Sequence, residues 1–473
     1  MRNQSPKSKP FQVYPINGTS MFGAKPFYGN EENKWGWLLV MAAFFNQMIA
    51  VGGGFSLGIY HLEFRKYFQG TSAEVSLVSS ICIGSLMGAG PIVSYLVTKF
   101  DSGLVTILGA ILSTASMIGA IFCEKLILLY ITFGFLTGFG LCMSYLPSTI
   151  LVGLYFKQYC SLATGMISIG IGLGELVFPF LYTYIINVFT WKGSLFILAG
   201  IFLNMCMPAF LIRPLSNYEE KFAPEPLEIV KKDFSELNKE LQTIIIPDTH
   251  TTNEQPKSLR LFGNIKFSVY FLNILLWNAG TIILYFQGLE FLQDEIGYNK
   301  ETISSIMSAV GIGNVFGSLF GGILGNVSCC DKVIIYAIFH LVNGLSAILF
   351  VYVNRYKTFI FLAIIFGLTL GGILGIMYVI AVELVSHKSS SIEKVRADWT
   401  TVAGYVMLAN GIGCFLGPPF GGWLHDITGS YTLPLYACGG ITIFGGFTML
   451  LLKLVVSGGA SWSSLFINTI TAD

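Results

Sequence analysis

Charge is what this sequence has least of. Only 11% of its 473 residues are Asp, Glu, Lys or Arg, while 53% are hydrophobic and the mean hydropathy is +0.68. Ordinary soluble domains carry about 25% charged residues, and a soluble chain this apolar would leave greasy surface in water, so a polytopic protein partnered with the lipid bilayer is expected. Neither sign of charge predominates, since 27 basic and 26 acidic side chains leave a net charge of +1. The basic face that a nucleic-acid partner requires is therefore missing. The nine cysteines lie scattered in apolar stretches, apart from the vicinal pair Cys329 and Cys330, with no CxxC and no Cys/His spacing. Neither a disulfide framework, nor a metal site, nor a cofactor is expected. No GxxxxGK[ST] occurs, so ATP-driven pumping has no engine. No nucleophile–base pair sits among the apolar segments either, so no catalytic residue is assigned and an enzyme is not expected. Residues 1–35 are polar and basic without the apolar core and cleavage site of a signal peptide, which leaves insertion to the first span.

What the sequence has in quantity is apolar runs of bilayer length, about 20 residues for a hydrocarbon core of about 30 Å. Six fall at 36–59, 75–98, 104–122, 126–150, 159–186 and 193–212, and six more at 266–289, 302–326, 332–353, 358–384, 398–424 and 431–456. The expected fold is an all-α membrane protein of twelve transmembrane helices. Its divisions are an N-terminal tail 1–35, a six-helix bundle 36–212, a linker 213–264, a second bundle 265–456 and a C-terminal tail 457–473. The linker holds five prolines among mixed charges, with at most a short helix around Leu227–Leu241. Placing both termini and the linker in the cytoplasm puts 20 of the 27 Lys and Arg residues inside and 7 outside, as the positive-inside rule asks. The Asn17-Gly-Thr19 tripeptide then faces the cytoplasm, and its match to a glycosylation acceptor is by chance.

The two bundles are repeats of each other. At a shift of 239 positions Gly165, Gly172, Gly174 and Pro179 fall on Gly404, Gly411, Gly413 and Pro418. At a shift of 227, Glu74, Gly84 and Gly90 fall on Glu301, Gly311 and Gly317. Glycine-striped helices suit a bilayer, where small residues let backbones touch. Parallel six-helix repeats fit the major facilitator architecture, with a midplane site between two halves that rock for alternating access.

The residues then resemble one family in particular, the monocarboxylate transporters of that superfamily. Glu32-Asn33-Lys34-Trp35-Gly36-Trp37 keeps the acid and W-G-W of the first-helix signature and loses its small pair. Tyr155, Phe156, Leu162, Ala163, Gly165 and Gly170 match the elbow between the fourth and fifth helices, where the family's basic run is replaced by Gln158, Tyr159 and Cys160. Further similarity lies in TSAEVSLVSS (71–80), GPIVSYLVTKF (90–100), WKGSLFILAG (191–200) and LGPPFGGWLHDITGSY (416–431). The resemblance implies a small organic solute as cargo, plasma-membrane residence and a single-span ancillary glycoprotein as a partner. It also implies, for proton-coupled members, a lysine on the first helix and an Asp and Arg one turn apart on the eighth. Here Phe55, Asn314 and Ser318 stand at those positions. Three neutral side chains cannot bind a carboxylate and its proton by charge, so the usual coupling is expected to be absent.

Candidate residues follow from polarity at depth. Glu175 is the acidic residue well inside an apolar span, where an isolated carboxylate is costly; it is either a proton site or a residue hydrogen-bonded to a neighbouring helix. Phe55 follows Gly52-Gly53-Gly54, which is expected either to open the first helix and line the cavity or to permit close packing. Ser144 and Tyr145 before Pro147, Asn273 and Trp277 on one face of the seventh span, and Asn314 with Ser318 one turn later are further substrate-site candidates. His340 is expected to make a neutral interhelical hydrogen bond. Lys99 and Asp101, with Asp331 and Lys332 in the equivalent turn of the second half, are candidates for gating charge pairs between halves. The expected function is secondary transport of a monocarboxylate or related solute. The alternatives are a facilitative carrier of aromatic amino acids or other neutral or zwitterionic solutes, and a transport-inactive sensor or channel-like protein on the same fold.

Overall fold

The structure is a computed structural model describing residues 34–69, 72–156, 159–212, 261–327, 331–385 and 392–457. The Asn17–Thr19 tripeptide, the expected linker helix at Leu227–Leu241 and the Cys329–Cys330 pair lie outside these residues. Among the described residues there are no strands, and eleven continuous helices are long and apolar enough to cross a bilayer. They are α1 (Gly36–Phe68), α2 (Glu74–Lys99), α3 (Ser102–Ile121), α4 (Leu126–Tyr155), a 50-residue segment Cys160–Ala209, α7 (Ile265–Glu295), α8 (Lys300–Asn326), α9 (Lys332–Tyr352), α10 (Tyr356–Val385), α11 (Trp399–Thr428) and α12 (Thr432–Leu454).

The long segment counts twice. A straight helix of that length would run about 75 Å, far more than a bilayer core, and its backbone leaves the helical region at Thr190 (φ 62°, ψ 170°). That conformation is strained for a β-branched residue, and the next residue, Trp191, holds the bend by packing on the rings of Phe64 and Tyr67 at 5.4 and 5.0 Å. The segment is therefore α5 (160–189) and α6 (191–209), which makes the twelve crossings expected from hydropathy. Twelve is even, so the start of α1, the end of α12 and the helix ends that flank residues 213–260 share one face, here called the linker face.

The triple glycine does not open α1. Helical backbone continues through it, widened to a π-turn at Met48–Gly52, and the Gly53 carbonyl accepts from the Tyr182 hydroxyl at 3.2 Å. Close packing is the physical reason, because a Cβ on Gly52 would lie 2.7 Å from the Gly174 Cα of α5. The Gly53 carbonyl is taken by Tyr182 and the Gly54 carbonyl by the Leu57 N–H at 3.1 Å, so of the two readings, opening or close packing, the structure favours close packing.

The repeated glycines lie where the two halves meet. A Cβ on Gly165 would come 2.7 Å from the Gly322 Cα of α8, and one on Gly172 would come 2.6 Å from the Val315 nitrogen. In the pseudo-symmetric seam, a Cβ on Gly404 would lie 3.0 Å from the Ser94 Cβ of α2. One on Gly411 would lie 2.8 Å from the Gly84 carbonyl oxygen and closer still to Gly88. Thus α5 packs on α8 as α11 packs on α2, each pair joining opposite halves. The α5–α8 seam is further tied by a hydrogen bond between Thr183 and Ser304 at 2.8 Å. Backbone stands directly opposite Gly165, Gly172 and Gly411, so a larger side chain there cannot be absorbed by a rotamer change. Gly172→Leu is expected to destabilise the folded protein by at least about 1–3 kcal/mol, the usual cost of overpacking. Thermal melting in detergent checks this, and an unchanged melting temperature would place Gly172 elsewhere.

Candidate functional site

Between the halves lies a small cavity, with about 40 Å³ open to the centre of a water-sized molecule. The first half lines it with Gln47, Val51 and Phe55 of α1, Met87 of α2, Tyr145 of α4, and Ser168, Ile171 and Glu175 of α5. The second half contributes Trp277, Asn278, Thr281 and Tyr285 of α7, Leu370, Leu374, Met377 and Tyr378 of α10, and Met407 and Asn410 of α11. Trp277, Thr281 and Tyr285 recur every four residues, which sets them along one face of α7. Among the described residues no lysine, arginine or histidine lines it.

Glu175 is buried, and donors from the opposite half satisfy its carboxylate. The Tyr285 hydroxyl donates to Oε1 at 3.0 Å, and Asn314 Nδ2 donates to Oε2 at 2.8 Å. Behind it the Ser318 hydroxyl donates to Asn314 Oδ1 at 3.1 Å. This fixes Asn314 with its amide nitrogen toward the carboxylate. The arrangement gives a carboxylate at membrane depth the hydrogen bonds that make it tolerable, and each of those bonds ties α5 to α7 or α8. The Phe55 ring packs on Tyr285 with centroids 5.4 Å apart.

Across the cavity Asn278 Nδ2 donates to Asn410 Oδ1, and Asn410 Nδ2 donates to the Val406 carbonyl at 2.8 Å. The Tyr145 hydroxyl reaches Met407 Sδ at 2.8 Å. Three buried polar atoms on lining residues have no protein partner: Gln47 Oε1, Trp277 Nε1 and Thr281 Oγ1. Gln47 is nevertheless positioned, since its Nε2 donates to Thr149 Oγ1 at 3.0 Å. An acceptor, a donor and a hydroxyl thus remain unspent, where buried polar atoms in proteins are nearly always paired.

The structure brings Phe55, Tyr145, Trp277 and Glu175 together on the cavity wall. Asn314 and Ser318 sit in a second layer, connected to it through Glu175. Ser144 and Asn273, expected as cavity residues, do not line it. Ser144 lies about 100° around the helix from Tyr145, with its hydroxyl donating to the Gly140 carbonyl at 2.9 Å and its side beside Thr106 of α3. Asn273 is one turn below Trp277 and donates to the Gly445 carbonyl of α12 at 2.7 Å. His340 bonds within its own helix, to the Tyr336 carbonyl at 2.8 Å, rather than between helices, and its ring packs on Trp277 at 5.7 Å.

Among the described residues the four gating candidates form no ion pair between halves. Asp101 caps α3 by accepting from the N–H groups of Gly103 and Leu104 at 3.1 and 3.3 Å, and Lys99 lies over the Tyr95 ring at 4.7 Å. Asp331 caps α9 in the same way, accepting from Val333 and Ile334, and also pairs with Lys453; Lys332 pairs with Glu383. Burial alone would raise the Asp331 carboxyl, but Lys453 and the two N–H groups hold it below the usual carboxylate value. The turns are equivalent, as the repeat implied, because each needs an acidic N-cap.

Sequence reasoning missed Tyr285, Gln47, Tyr378 and Asn410. Tyr285 was within reach, as the third member of the four-residue stripe begun at Trp277. Gln47, Tyr378 and Asn410 carry no comparable signal, since single polar residues in apolar helices are as often helix contacts as cavity wall.

Twelve helices in two pseudo-symmetric bundles around a central cavity define a secondary-transporter fold. The Major Facilitator Superfamily profile matches residues 36–289 and 267–466, and the chain belongs to that superfamily. It is a transporter of this class homologous to the monocarboxylate transporters. It is 27% identical over 411 residues to rat (Rattus norvegicus) monocarboxylate transporter 13, covering 87% of each chain. With human monocarboxylate transporter 2 it shares 26% over 446 residues, 89% of this chain and 86% of the relative. With human monocarboxylate transporter 1 it shares 27% over 438 residues, 89% and 85%.

Because Asn314 serves a buried carboxylate, removing it leaves a lone pair of Glu175 unmet. Asn314→Leu is expected to cost about 1.5–3 kcal/mol, the value of a hydrogen bond to a charged group, and appreciably less in a Glu175→Leu background. A double-mutant cycle on detergent melting checks this, and strictly additive effects would rule out the coupling.

Proposed function

We propose that the protein moves a small neutral or zwitterionic organic solute by alternating access, without the lysine and ion pair that couple its proton-driven relatives. The cavity wall carries this reading: five aromatic rings, three amide side chains and three unspent polar atoms, with no cation among the described lining residues to hold a carboxylate. Phe55, Tyr145, Trp277, Tyr285 and Tyr378 would clasp a planar solute by its faces. Gln47 Oε1, Trp277 Nε1 and Thr281 Oγ1 would hold its polar atoms. Glu175 is the proposed proton site, and Asn314 and Ser318 position it. A monocarboxylate, named in the relatives, is the second reading; it would lean on the Trp277 and Thr281 donors alone. The bundles 36–212 and 265–456 are the two moving halves in this reading. A single-span glycoprotein partner and plasma-membrane residence rest on family resemblance.

Uptake of the true solute is expected to saturate, to be accelerated by solute on the far side, and to fall at least about tenfold in Trp277→Ala, the cost of losing a large buried contact. A screen of neutral, zwitterionic and carboxylate solutes in reconstituted vesicles checks this. Flux without saturation would favour a channel, and no flux of any solute would favour a sensor. Uptake that is flat between about pH 6 and 8 would support facilitated diffusion, since Phe55, Asn314 and Ser318 carry no charge to titrate. If it rises in acid, Glu175→Gln should flatten it; acid stimulation that survives this change removes Glu175 as the proton site.

The linker and both termini are proposed to be cytoplasmic, from the distribution of Lys and Arg. In intact cells, impermeant thiol labelling should reach a cysteine placed within 66–71 and miss one placed within 219–256. The reverse pattern would invert the topology.

A further inference from the structure

The face opposite the linker closes by charge. The last turns of α1 present His61, Glu63 and Arg65, and each meets a charged residue of the other half. His61 Nε2 is 3.0 Å from Glu290 Oε1, Lys300 pairs with Glu63, and Arg65 Nη1 is 3.9 Å from Asp294 Oδ2. The pairs form a graded series from inside outward, with side-chain exposures of 5% and 10% in the first, 27% and 19% for Lys300 and Glu63, and 43% and 38% in the last. Lys300 with Glu63 and Arg65 with Asp294 are of opposite sign, His61 with Glu290 is a buried hydrogen bond, and Glu290 and Asp294 stand one turn apart on α7.

The acidic end of α7 is also anchored from its own half. The Tyr431 hydroxyl donates to Asp294 Oδ2 at 3.2 Å, and the Tyr431 N–H and Ser430 hydroxyl donate to Glu295 Oε1 at 2.7 and 3.1 Å. A turn through Gly297, at φ 80°, then brings Lys300 to the start of α8. The second half thus offers a fixed charged rim, and α1 docks on it. On the linker face the ion pairs among the described residues, Lys332–Glu383 and Lys453–Asp331, stay within the second half. There the halves meet through small residues, as at Gly165 with Gly322.

We propose that His61, Glu63 and Arg65 with Glu290, Asp294 and Lys300 form the gate that shuts the cavity toward the face opposite the linker. This rests on the alternating-access reading above. Partly buried charges attract more strongly than exposed ones, and separating them gives up that attraction in exchange for hydration. Opening on this face therefore has to break an electrostatic latch. A reversed charge at Glu63 or Lys300 puts like charges together and favours the open state, whereas reversing both restores attraction.

The test places a single reporter, Ser168→Cys, on the cavity wall in a background lacking the native cysteines. An impermeant thiol reagent is applied separately to each side of sealed vesicles. Glu63→Lys and Lys300→Glu should each raise labelling from the side opposite the linker by about fivefold or more, a typical conformational coupling. The double reversal should return it to within about twofold of the parent. If a reversal does not reach the membrane, Glu63→Gln replaces it, with a smaller rise in the same direction. Labelling that ignores the single changes, or that stays high in the double, overturns the gate. Solute flux measured on the same vesicles separates the two proposals. Labelling that responds as expected without any flux keeps the gate and sinks the transport reading; flux with indifferent labelling does the opposite.

Discussion

The contact on which the rest depends is backbone against backbone, where α5 meets α8 and α11 meets α2. A bilayer supplies no hydrophobic drive for helices to leave lipid for one another, so association relies on close packing and hydrogen bonds. Glycines at Gly165, Gly172, Gly404 and Gly411 leave room for the facing chain at distances a Cβ would fill. That proximity has a chemical consequence. It is what puts a carboxylate on α5 within hydrogen-bonding distance of an amide on α8, at 2.8 Å between Glu175 and Asn314.

Glu175 therefore belongs to the seam as much as to the cavity. Its partners come from α7 and α8, so any relative movement of the halves changes its hydrogen bonding, and any change in its hydrogen bonding bears on the movement. Such a residue is suited to link what occupies the cavity with the position of the halves. The cavity itself is chemically one-sided: among the described residues its wall holds rings, thioethers, amides and one acid, and no cation. That is a poor match for recognition of an anion by charge and a better one for a solute held by its faces and a few hydrogen bonds.

The halves meet differently at their two ends. Toward the linker they rely on small residues whose contact is short-ranged and insensitive to salt. Away from it they rely on complementary charges arranged from buried to exposed. Two unlike closures suit an alternating-access cycle, in which the end states must be close in energy yet separately adjustable.

Much of this was legible in the amino-acid sequence. Hydropathy gave twelve spans because a bilayer forces backbone groups to be satisfied within each crossing. The shifts of 239 and 227 marked the helices that form the seams, because close helix contact demands small residues at fixed positions. That Phe55, Asn314 and Ser318 stand where charges are expected followed from the resemblance to the monocarboxylate transporters. The tertiary structure decided the rest, because helices carry their polar residues on faces whose partners are not encoded locally. It took the fold to turn Ser144 to α3 and Asn273 to α12, and to keep α1 helical through Gly52-Gly53-Gly54. Only the fold joined Glu175 to Tyr285, 110 residues away, and His61 to Glu290, 229 residues away. Sequence fixes which helix carries a charge and how deep it lies, but the rotation and pairing of helices decide what that charge meets.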